Sequence, residues 1–383
     1  MHYYIIAGEA SGDLHAAALI SALRRLDGEA RFTYCGGDMM AAAVGCDPVV
    51  HYRDMAYMGF SEVLRHLGQI RANLATVRRT LLDARPDALI TVDYPSFNLK
   101  VAATARKAGI PVYYYISPKV WAWKRWRVKT IRRVVDKVLC ILPFEEDFYR
   151  QRGVDAEYVG NPSVEEVDAT LAALGPVEAA ATVPWRSERP QIVLLPGSRR
   201  GEIRCNLPVM EAAVARFPQY RVTVAGAPGI EPEYYKAYTR RPVVFGRTYD
   251  LLRRARAALV TSGTATLEAA LIGVPQVVMY RSNGSRVAYE LMRRLLHVDC
   301  VSLPNLIAGE EMIPELLLHY CTPDTVAYCL GRITADGAPR EAMLDGYRRL
   351  RSTLGTTQAA PTAAAAIISA LRRRQADQSG QSD

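Results

Sequence analysis

The fold is indicated by residues 257–280, which read Ala-Ala-Leu-Val-Thr-Ser-Gly-Thr-Ala-Thr-Leu-Glu-Ala-Ala-Leu-Ile-Gly-Val-Pro-Gln-Val-Val-Met-Tyr. The order strand, Gly turn, short helix, Gly-Val-Pro turn and buried strand is half of a nucleotide-binding βαβ unit. At the start of the helix, the loop Ser262-Gly263-Thr264-Ala265-Thr266 leaves backbone N–H groups and the positive helix end available to an anion. Glu268, one turn further on, is placed to bind a ribose hydroxyl. An ordinary crossover capped by Ser or Thr has the same pattern, so this segment alone leaves both interpretations open.

Strands and helices alternate along most of the chain, in one series that begins at residue 2 and a second that begins at Gln191. Repeated βα units predict a parallel sheet covered by helices on both faces, so we expect an α/β protein with two doubly wound, Rossmann-like domains. The expected division is an N-terminal domain over 1–165, a linker over 166–190, a C-terminal domain over 191–355, a helix over 356–375 that returns to the N-terminal domain, and a disordered tail over 376–383.

Composition is that of an ordinary globular protein with room for two cores, since 50% of its 383 residues are hydrophobic. Lys and Arg exceed Asp and Glu by 48 − 39 = 9, which favours an anionic partner. The N-terminus enters a strand at once and resembles no signal peptide, and no apolar run has the length of a membrane span. Seven cysteines without a Cys-x-x-Cys pair favour reduced thiols, so a cytoplasmic location is expected.

Acidic residues follow two strands of the first series. Asp93 comes directly after the predicted strand 87–92, at the edge where α/β sheets bind ligands, although it is also suited to capping a helix. The loop Gly8-Glu9-Ala10-Ser11-Gly12-Asp13 opens a helix, and its two acids favour sugar hydroxyls over a phosphate. For Asp13, the N-cap of helix 14–26 is the favoured interpretation.

A basic loop follows the first strand of the second series. Gly197 and Ser198 allow close backbone approach to a ligand, while Arg199 and Arg200 supply cationic forks suited to a diphosphate. Solvated surface arginines are the alternative.

Residues 119–137 combine eight Lys or Arg with one Asp and three of the four tryptophans. This mixture favours an anionic membrane interface, with core packing and single-stranded nucleic acid as the alternatives. The residues expected at the lipid surface are Trp121, Trp123, Trp126, Arg125, Arg127 and Lys129. The chain lacks Asp-x-Asp, His-Glu-x-x-His, Gly-x-Ser-x-Gly and Walker motifs, so neither a metal nor a cofactor is expected.

Seven motifs in chain order closely resemble the lipid-A-disaccharide synthase family over residues 3 to about 310. They are Ala7–Asp13, Met58–Val63, Ser117–Trp123, Leu142–Glu145, Leu195–Arg199, Thr261–Glu268 and Val301–Asn305. The run Ser117-Pro118-Lys119-Val120-Trp121-Ala122-Trp123 is specific to that family.

The resemblance implies a GT-B glycosyltransferase whose two domains face a cleft, with UDP on the C-terminal domain and the acceptor on the N-terminal one. It implies inverting transfer of 2,3-diacylglucosamine from UDP to the 6-hydroxyl of 2,3-diacylglucosamine 1-phosphate, giving a β(1→6) disaccharide. Asp93 matches the proposed base and Glu9 orients the acceptor or the base. Arg199 and Gly263–Thr266 match the diphosphate site, Glu268 the nucleoside site, and Asn305 a position near the nucleotide whose role the chemistry does not assign.

Two positions depart from the family pattern. Ser96 replaces a second Asp, which favours Asp93 alone as base, and Asn161 replaces a His. The acylated substrates favour peripheral docking on the inner face of the inner membrane, without nucleic acid and with a homo-oligomer left open. The alternatives are an enzyme like UDP-N-acetylglucosamine 2-epimerase, or a nonenzymatic basic protein that binds membrane or RNA.

Overall fold

The computed structural model describes residues 1–55, 66–121, 126–177, 189–281 and 300–379. The chain divides into two compact units. Unit 1 comprises Met1–Pro162 together with Thr356–Asp383, and unit 2 comprises Ser163–Gly355.

Unit 1 contains a six-stranded, wholly parallel sheet in the order β2-β1-β3-β4-β5-β6. Its strands are β1 (His2–Ala7), β2 (Arg31–Cys35), β3 (Ala88–Val92), β4 (Val112–Tyr115), β5 (Lys137–Cys140) and β6 (Ala156–Tyr158). The helices along this part of the chain are α1 (Ala10–Leu26), α2 (Asp38–Val44), α3 (Leu67–Ala84), α4 (Pro95–Lys107), α5 (Arg127–Val134) and α6 (Pro143–Arg150). The direction of winding reverses between β1 and β3, and such a reversal opens a ligand-binding crevice at the carboxyl ends of the strands.

The sheet of unit 1 is buried on both faces, as its sequence demands. Residues Tyr3 to Ala7 of β1 have no exposed surface at all, because successive side chains enter two different apolar layers. Helices cover both layers, and that arrangement leaves the carboxyl ends of the strands as the edge where side chains meet solvent.

Unit 2 repeats the architecture with the strand order β12-β11-β10-β7-β8-β9, again wholly parallel. Its strands are β7 (Gln191–Leu195), β8 (Arg221–Gly226), β9 (Val243–Phe245), β10 (Ala255–Thr261), β11 (Gln276–Tyr280) and β12 (Glu315–Leu317). Its helices are α7 (Pro162–Leu174), α8 (Arg200–Val214), α9 (Pro232–Lys236), α10 (Thr248–Leu252), α11 (Thr264–Ile272), α12 (Leu303–Ala308), α13 (Pro323–Thr334) and α14 (Ala338–Leu354). The winding reverses between β7 and β10, which pair in register from Ile192 against Ala257 onward.

The last helix, α15 (Ala359–Ser379), belongs to unit 1 and packs against α1. Its apolar face joins the same core as β1 and α1. The buried side chains that it contributes are Ala360, Ala363, Ala364, Ile367, Ile368 and Leu371.

Two boundaries differ from the sequence expectation. Helix α7 runs to Leu174, inside the stretch expected as linker, and 178–188 lie outside the described residues. The disordered tail was expected from residue 376, but α15 continues to Ser379, because extending an existing helix gains one hydrogen bond per residue fixed. In the described parts of the chain, no helix combines the length and the apolarity needed to cross a bilayer.

Candidate active site

Topology brings Asp93 and Glu9 to the switch point of unit 1. Asp93 follows β3 and Glu9 follows β1 after Gly8, and these strands are neighbours that end with Ala7 opposite Val92. A Cβ on Gly8 would lie 2.3 Å from the Tyr94 ring. Glycine is therefore required where the loop after β1 packs against the loop after β3, and this close approach places both acidic residues at one edge.

The backbone that presents Asp93 is strained. Asp93 has a φ of 43° and Tyr94 one of 48°, in the left-handed region that costs a non-glycine residue about 1–3 kcal/mol. Pro95 excludes Tyr94 from the right-handed helical region, as the sequence predicted. The carbonyl of Asp93 accepts hydrogen bonds from the Tyr114 hydroxyl (2.6 Å) and Asn98 Nδ2 (2.7 Å). These contacts hold the turn, and strain of this kind is concentrated at functional sites.

The environment of Asp93 makes its carboxylate more basic. Burial raises its pKa, and this rise is opposed by the backbone N–H of Tyr94 and by the charge of Lys119. A raised pKa at the carboxyl edge of a sheet is the property expected of a general base.

The structure corrects the expected role of Asp13. This residue lies inside α1 and caps another helix instead of its own, since its carboxylate accepts hydrogen bonds from the backbone N–H groups of Gly37 (2.6 Å), Met39 (3.0 Å) and Met40 (3.2 Å) at the start of α2. Such a pairing satisfies orphan helix donors that the sequence alone does not connect to residue 13. Asp13 is therefore structural.

Trp121 is also corrected, since it does not lie on a lipid-facing surface. Its side chain is only 5% exposed and packs edge-on against Phe144. Its indole N–H donates to Glu145 Oε1 at 2.9 Å, and Ser117 Oγ donates to the same oxygen at 3.0 Å. Core packing was the alternative interpretation, and it is correct for Trp121. A buried indole needs a hydrogen-bond partner, and Glu145 provides it.

Glu145 is a buried carboxylate that the sequence did not single out as a site residue. It is 1% exposed, and burial raises its pKa to about 7 against the hydrogen bonds from Trp121, Ser117 and the Leu142 N–H. It fixes both ends of the segment Ser117–Trp121 in the loop after β4. The motif Leu142–Glu145 contains this residue. A glutamate in the first turn of a helix is ordinarily solvated, so the sequence did not indicate that this one is buried.

The other described residues of the basic segment differ in their exposure to solvent. Trp126 is 63% exposed and Lys129 is exposed, while Val128, Ile131 and Val134 form the buried face of α5. The Arg127 guanidinium donates from Nη2 to Ser96 Oγ at 3.1 Å, which brings it beside the Asp93 turn. Trp123 and Arg125 lie outside the described residues.

At the switch point of unit 2, the loop after β7 is shaped by one glycine. Gly197 has a φ of 118°, and a Cβ there would lie 2.6 Å from the Cβ of Glu202. The Ser198 N–H donates to Glu202 Oε2 (2.9 Å). Arg199 is 67% exposed, with a long contact of 3.6 Å to Glu202, so its guanidinium is accessible to an anion. Arg200 pairs with Glu231 instead.

The neighbouring loop, after β10, opens α11. Gly263 and Thr264 are exposed, Ser262 and Ala265 are half-buried, and a Cβ at Gly263 would meet nothing within 4 Å. Thr266 is buried and donates from Oγ1 to the Gly263 carbonyl (2.7 Å), which closes the turn. The open helix start is suited to a diphosphate.

Glu268, on α11, interacts with Tyr249 and Glu166 from two other helices. The Tyr249 hydroxyl donates to its carboxylate, and burial together with the charge of Glu166 raises its pKa to about 7. Sequence reasoning missed Tyr249 and Glu166, which come from α10 and α7, because no local pattern links three separate helices.

The side chain of Asn305 is engaged within its own loop. It is fully buried, and its amide is saturated: Nδ2 donates to the Ile313 carbonyl and to Glu315 Oε1 (both 2.8 Å), while Oδ1 accepts from the N–H groups of Met312 (3.1 Å) and Ile313 (3.0 Å). Every hydrogen-bonding position of an amide is thereby used. The Asn305 amide therefore shapes the loop between α12 and β12, and its place near the nucleotide stays a prediction.

Two doubly wound units with these switch points are the architecture of GT-B glycosyltransferases and related sugar-nucleotide enzymes. The UDP-GlcNAc 2-epimerase of Neisseria meningitidis superposes with a TM-score of 0.65 at 11% identity, covering 97% of this chain and 100% of that one. CalG4, the calicheamicin glycosyltransferase, gives a TM-score of 0.58 at 18% identity, covering 97% and 98%. At these identities the likeness establishes the fold.

Sequence comparison identifies the family within that class. Residues 3–365 match the family model of lipid-A-disaccharide synthetase. The lipid-A-disaccharide synthase of Myxococcus xanthus is 43% identical over 376 residues, 96% of this chain and 97% of that one, and the one of Geobacter metallireducens is 38% identical over 97% of each. The chain belongs to the lipid-A-disaccharide synthetase family, and it is a hexosyltransferase that forms the lipid A disaccharide from a UDP-sugar and an acceptor.

Proposed function

We propose that the donor is UDP-2,3-diacylglucosamine and the acceptor 2,3-diacylglucosamine 1-phosphate, joined by inverting transfer to the acceptor 6-hydroxyl. Asp93 takes the proton of that hydroxyl as the oxygen attacks the donor sugar, and UDP leaves. The observation that carries this assignment is the strained, partly buried carboxylate at the switch point of unit 1, whose pKa burial raises. General base catalysis of this kind contributes about 10²–10⁴ in rate.

Glu9 orients the acceptor or the base, because it follows the strand next to the one that presents Asp93. Ser96, three residues after Asp93, replaces the second Asp of the family pattern. Its hydroxyl accepts a hydrogen bond from Arg127 and supplies no second carboxylate, so Asp93 acts as the base alone.

In unit 2, Arg199 and the N–H groups at the start of α11 stabilise the leaving diphosphate. Ser198 and Ser262–Ala265 line the same strand edge, where adjacent strands β7 and β10 end. Glu268 binds the nucleoside through a ribose hydroxyl, and no metal is assigned a part in this step.

The protein docks peripherally on an anionic inner-leaflet surface. Support comes from the exposed Trp126 at the N-cap of α5 and the exposed Lys129 on that helix, with Arg127 beside them. Indole side chains favour headgroup depth, and each nearby cation adds attraction to anionic lipid. Co-sedimentation with anionic vesicles tests this docking: Trp126→Ser is expected to weaken binding, and unchanged binding by the folded variant would contradict it.

The reaction is tested by UDP release from UDP-2,3-diacylglucosamine, with and without 2,3-diacylglucosamine 1-phosphate, for the wild type and Asp93→Asn. Release that requires the acceptor and falls about 10²–10⁴-fold in the variant is expected. Release or isomerisation without acceptor would indicate hydrolysis or epimerisation instead. Equal activity of Asp93→Asn would remove Asp93 from the base role.

A further inference from the structure

Two cations belong to the strand edge that presents Asp93, in addition to the residues assigned above to the chemistry: Lys119 follows β4, the neighbour of β3, and Arg127 begins α5. Lys119, in the loop after β4, is exposed, and its charge acts on the Asp93 carboxylate. Arg127 approaches from the start of α5 and reaches Ser96, three residues beyond Asp93. Its charge also acts on Tyr114, whose hydroxyl donates to the Asp93 carbonyl.

Neither cation has a carboxylate partner within ion-pair distance in the described part of the chain. Other basic residues of unit 1 do: Lys137 pairs with Glu157 (2.9 Å) and Arg106 with Asp136 (2.6 Å). Together the two cations outnumber the Asp93 carboxylate on which the charge of Lys119 acts, and such a local excess of positive charge attracts an anionic ligand.

Buried contacts hold the backbone that carries Lys119, and an exposed hydrogen bond orients Arg127. The segment that carries Lys119 is fixed at Ser117 and Trp121 by Glu145, and the Tyr149 hydroxyl donates to the Pro118 carbonyl between them (3.3 Å). The Arg127 guanidinium is oriented by the hydrogen bond that it donates to Ser96 Oγ. A site whose backbone is fixed before binding loses less entropy when the ligand arrives.

We propose that Lys119 and Arg127 form the binding site for the phosphate of the acceptor. The guanidinium offers a planar pair of donors and the ammonium a point charge, a combination suited to a phosphomonoester. This inference rests on the proposed function, since it assumes that Asp93 faces the acceptor hydroxyl. The site selects a phosphorylated acceptor over a neutral glycolipid and holds the sugar with its other end toward Asp93.

The same chemistry occurs in phospholipid headgroups, so the source of the phosphate has to be distinguished. The acceptor is favoured because Arg127 is directed to Ser96 beside the base, whereas Lys129 and Arg133 are exposed on the same helix without such a contact in the described residues. Arg133 therefore provides a matched control.

The experiment compares kcat/KM for 2,3-diacylglucosamine 1-phosphate and for the same acceptor without phosphate, in neutral detergent. Wild type is expected to prefer the phosphorylated acceptor, and in Lys119→Ala and Arg127→Ala the loss with the phosphorylated acceptor should exceed the loss with the neutral one by about tenfold or more. Arg133→Ala should retain the wild-type preference. Arg127→Lys and Lys119→Arg, which keep the charge, should recover part of it, and circular dichroism verifies folding.

The outcomes separate this inference from the proposed function. If wild type shows no acceptor-dependent UDP release, the proposed function fails. If wild type is active and the variants lose the same factor with both acceptors, or none, the phosphate site is overturned while the transferase stands. If the variants lose only binding to anionic vesicles and keep the acceptor preference, the phosphate belongs to a lipid headgroup and the inference is overturned.

Discussion

The two switch points have the same topology and opposite local chemistry. In unit 1, the edge has three non-glycine residues with positive φ, at Asp93, Tyr94 and Ile116, with Gly8 packed against the Tyr94 ring. In unit 2, it is formed by Gly197 in a left-handed conformation and by Gly263, with an exposed arginine between them.

This difference teaches what each edge is built to do. Strained residues fixed by buried hydrogen bonds aim one carboxylate, as a base requires, whereas glycines and an open helix start expose backbone N–H groups to a large anion. The same strand arrangement thus serves proton transfer in one unit and diphosphate binding in the other, which is expected when function depends on the loops.

The largest effect that would sharpen this comparison is a loss of activity caused by a substitution in unit 2. Arg199→Ala is expected to lower kcat/KM about 10²-fold or more, because the leaving diphosphate loses a charged donor. Calorimetric titration with UDP should show weaker binding, while Asp93→Asn should bind UDP as the wild type does. Weakened UDP binding in Asp93→Asn and normal binding in Arg199→Ala would reverse the assignment of the two edges.

The next effect tests the glycine requirement. Gly197→Ala is expected to destabilise unit 2 by about 1–3 kcal/mol, because alanine is strained at a φ of 118° and its Cβ would overlap Glu202. Denaturant unfolding measures the change. Gly263→Ala is the matched control, since open space surrounds that position, and an equal loss in both variants would contradict the packing argument.

Glu145 should impose a pH dependence on stability. Its pKa is raised from about 4.5 to about 7, so the folded state holds a proton that the unfolded state releases, and stability falls as pH rises between those values. Glu145→Gln lacks this loss, and its stability relative to wild type should therefore increase over that interval. Urea unfolding across the interval measures it, and parallel curves for the two proteins would exclude ionisation of Glu145.

The smallest effect concerns the nucleoside end. UDP affinity should decline as pH falls through about 7, because Glu268 then becomes protonated and its neutral carboxyl group is a weaker acceptor for a ribose hydroxyl than the carboxylate. Glu166→Gln removes a neighbouring negative charge, so the midpoint should move to lower pH. Titration with UDP at several pH values tests this, and an unshifted midpoint would show that Glu166 does not act on Glu268.

The sequence predicted much of the fold, because buried parallel strands leave continuous apolar runs and glycine turns mark where they end. It also placed Asp93 and Arg199 at strand ends, where topology makes position informative. It was wrong about Trp121, because composition does not reveal that an indole has a buried partner such as Glu145, and it did not reveal that the Asn305 amide is saturated by its own loop. It missed Glu145 and Tyr249 for the same reason, since their partners come from distant segments.

The position of α15 has a consequence for the order of events during synthesis. Unit 1 begins with the first residues of the chain but completes its core with Ala360 to Leu371, so all of unit 2 leaves the ribosome before unit 1 can close. Until then the apolar surfaces of α1 and β1 that α15 covers lack their partner. The nascent chain therefore depends on residues 360–371 to complete the core of unit 1, and a chain shortened to residue 355 should leave unit 1 sensitive to protease while unit 2 resists.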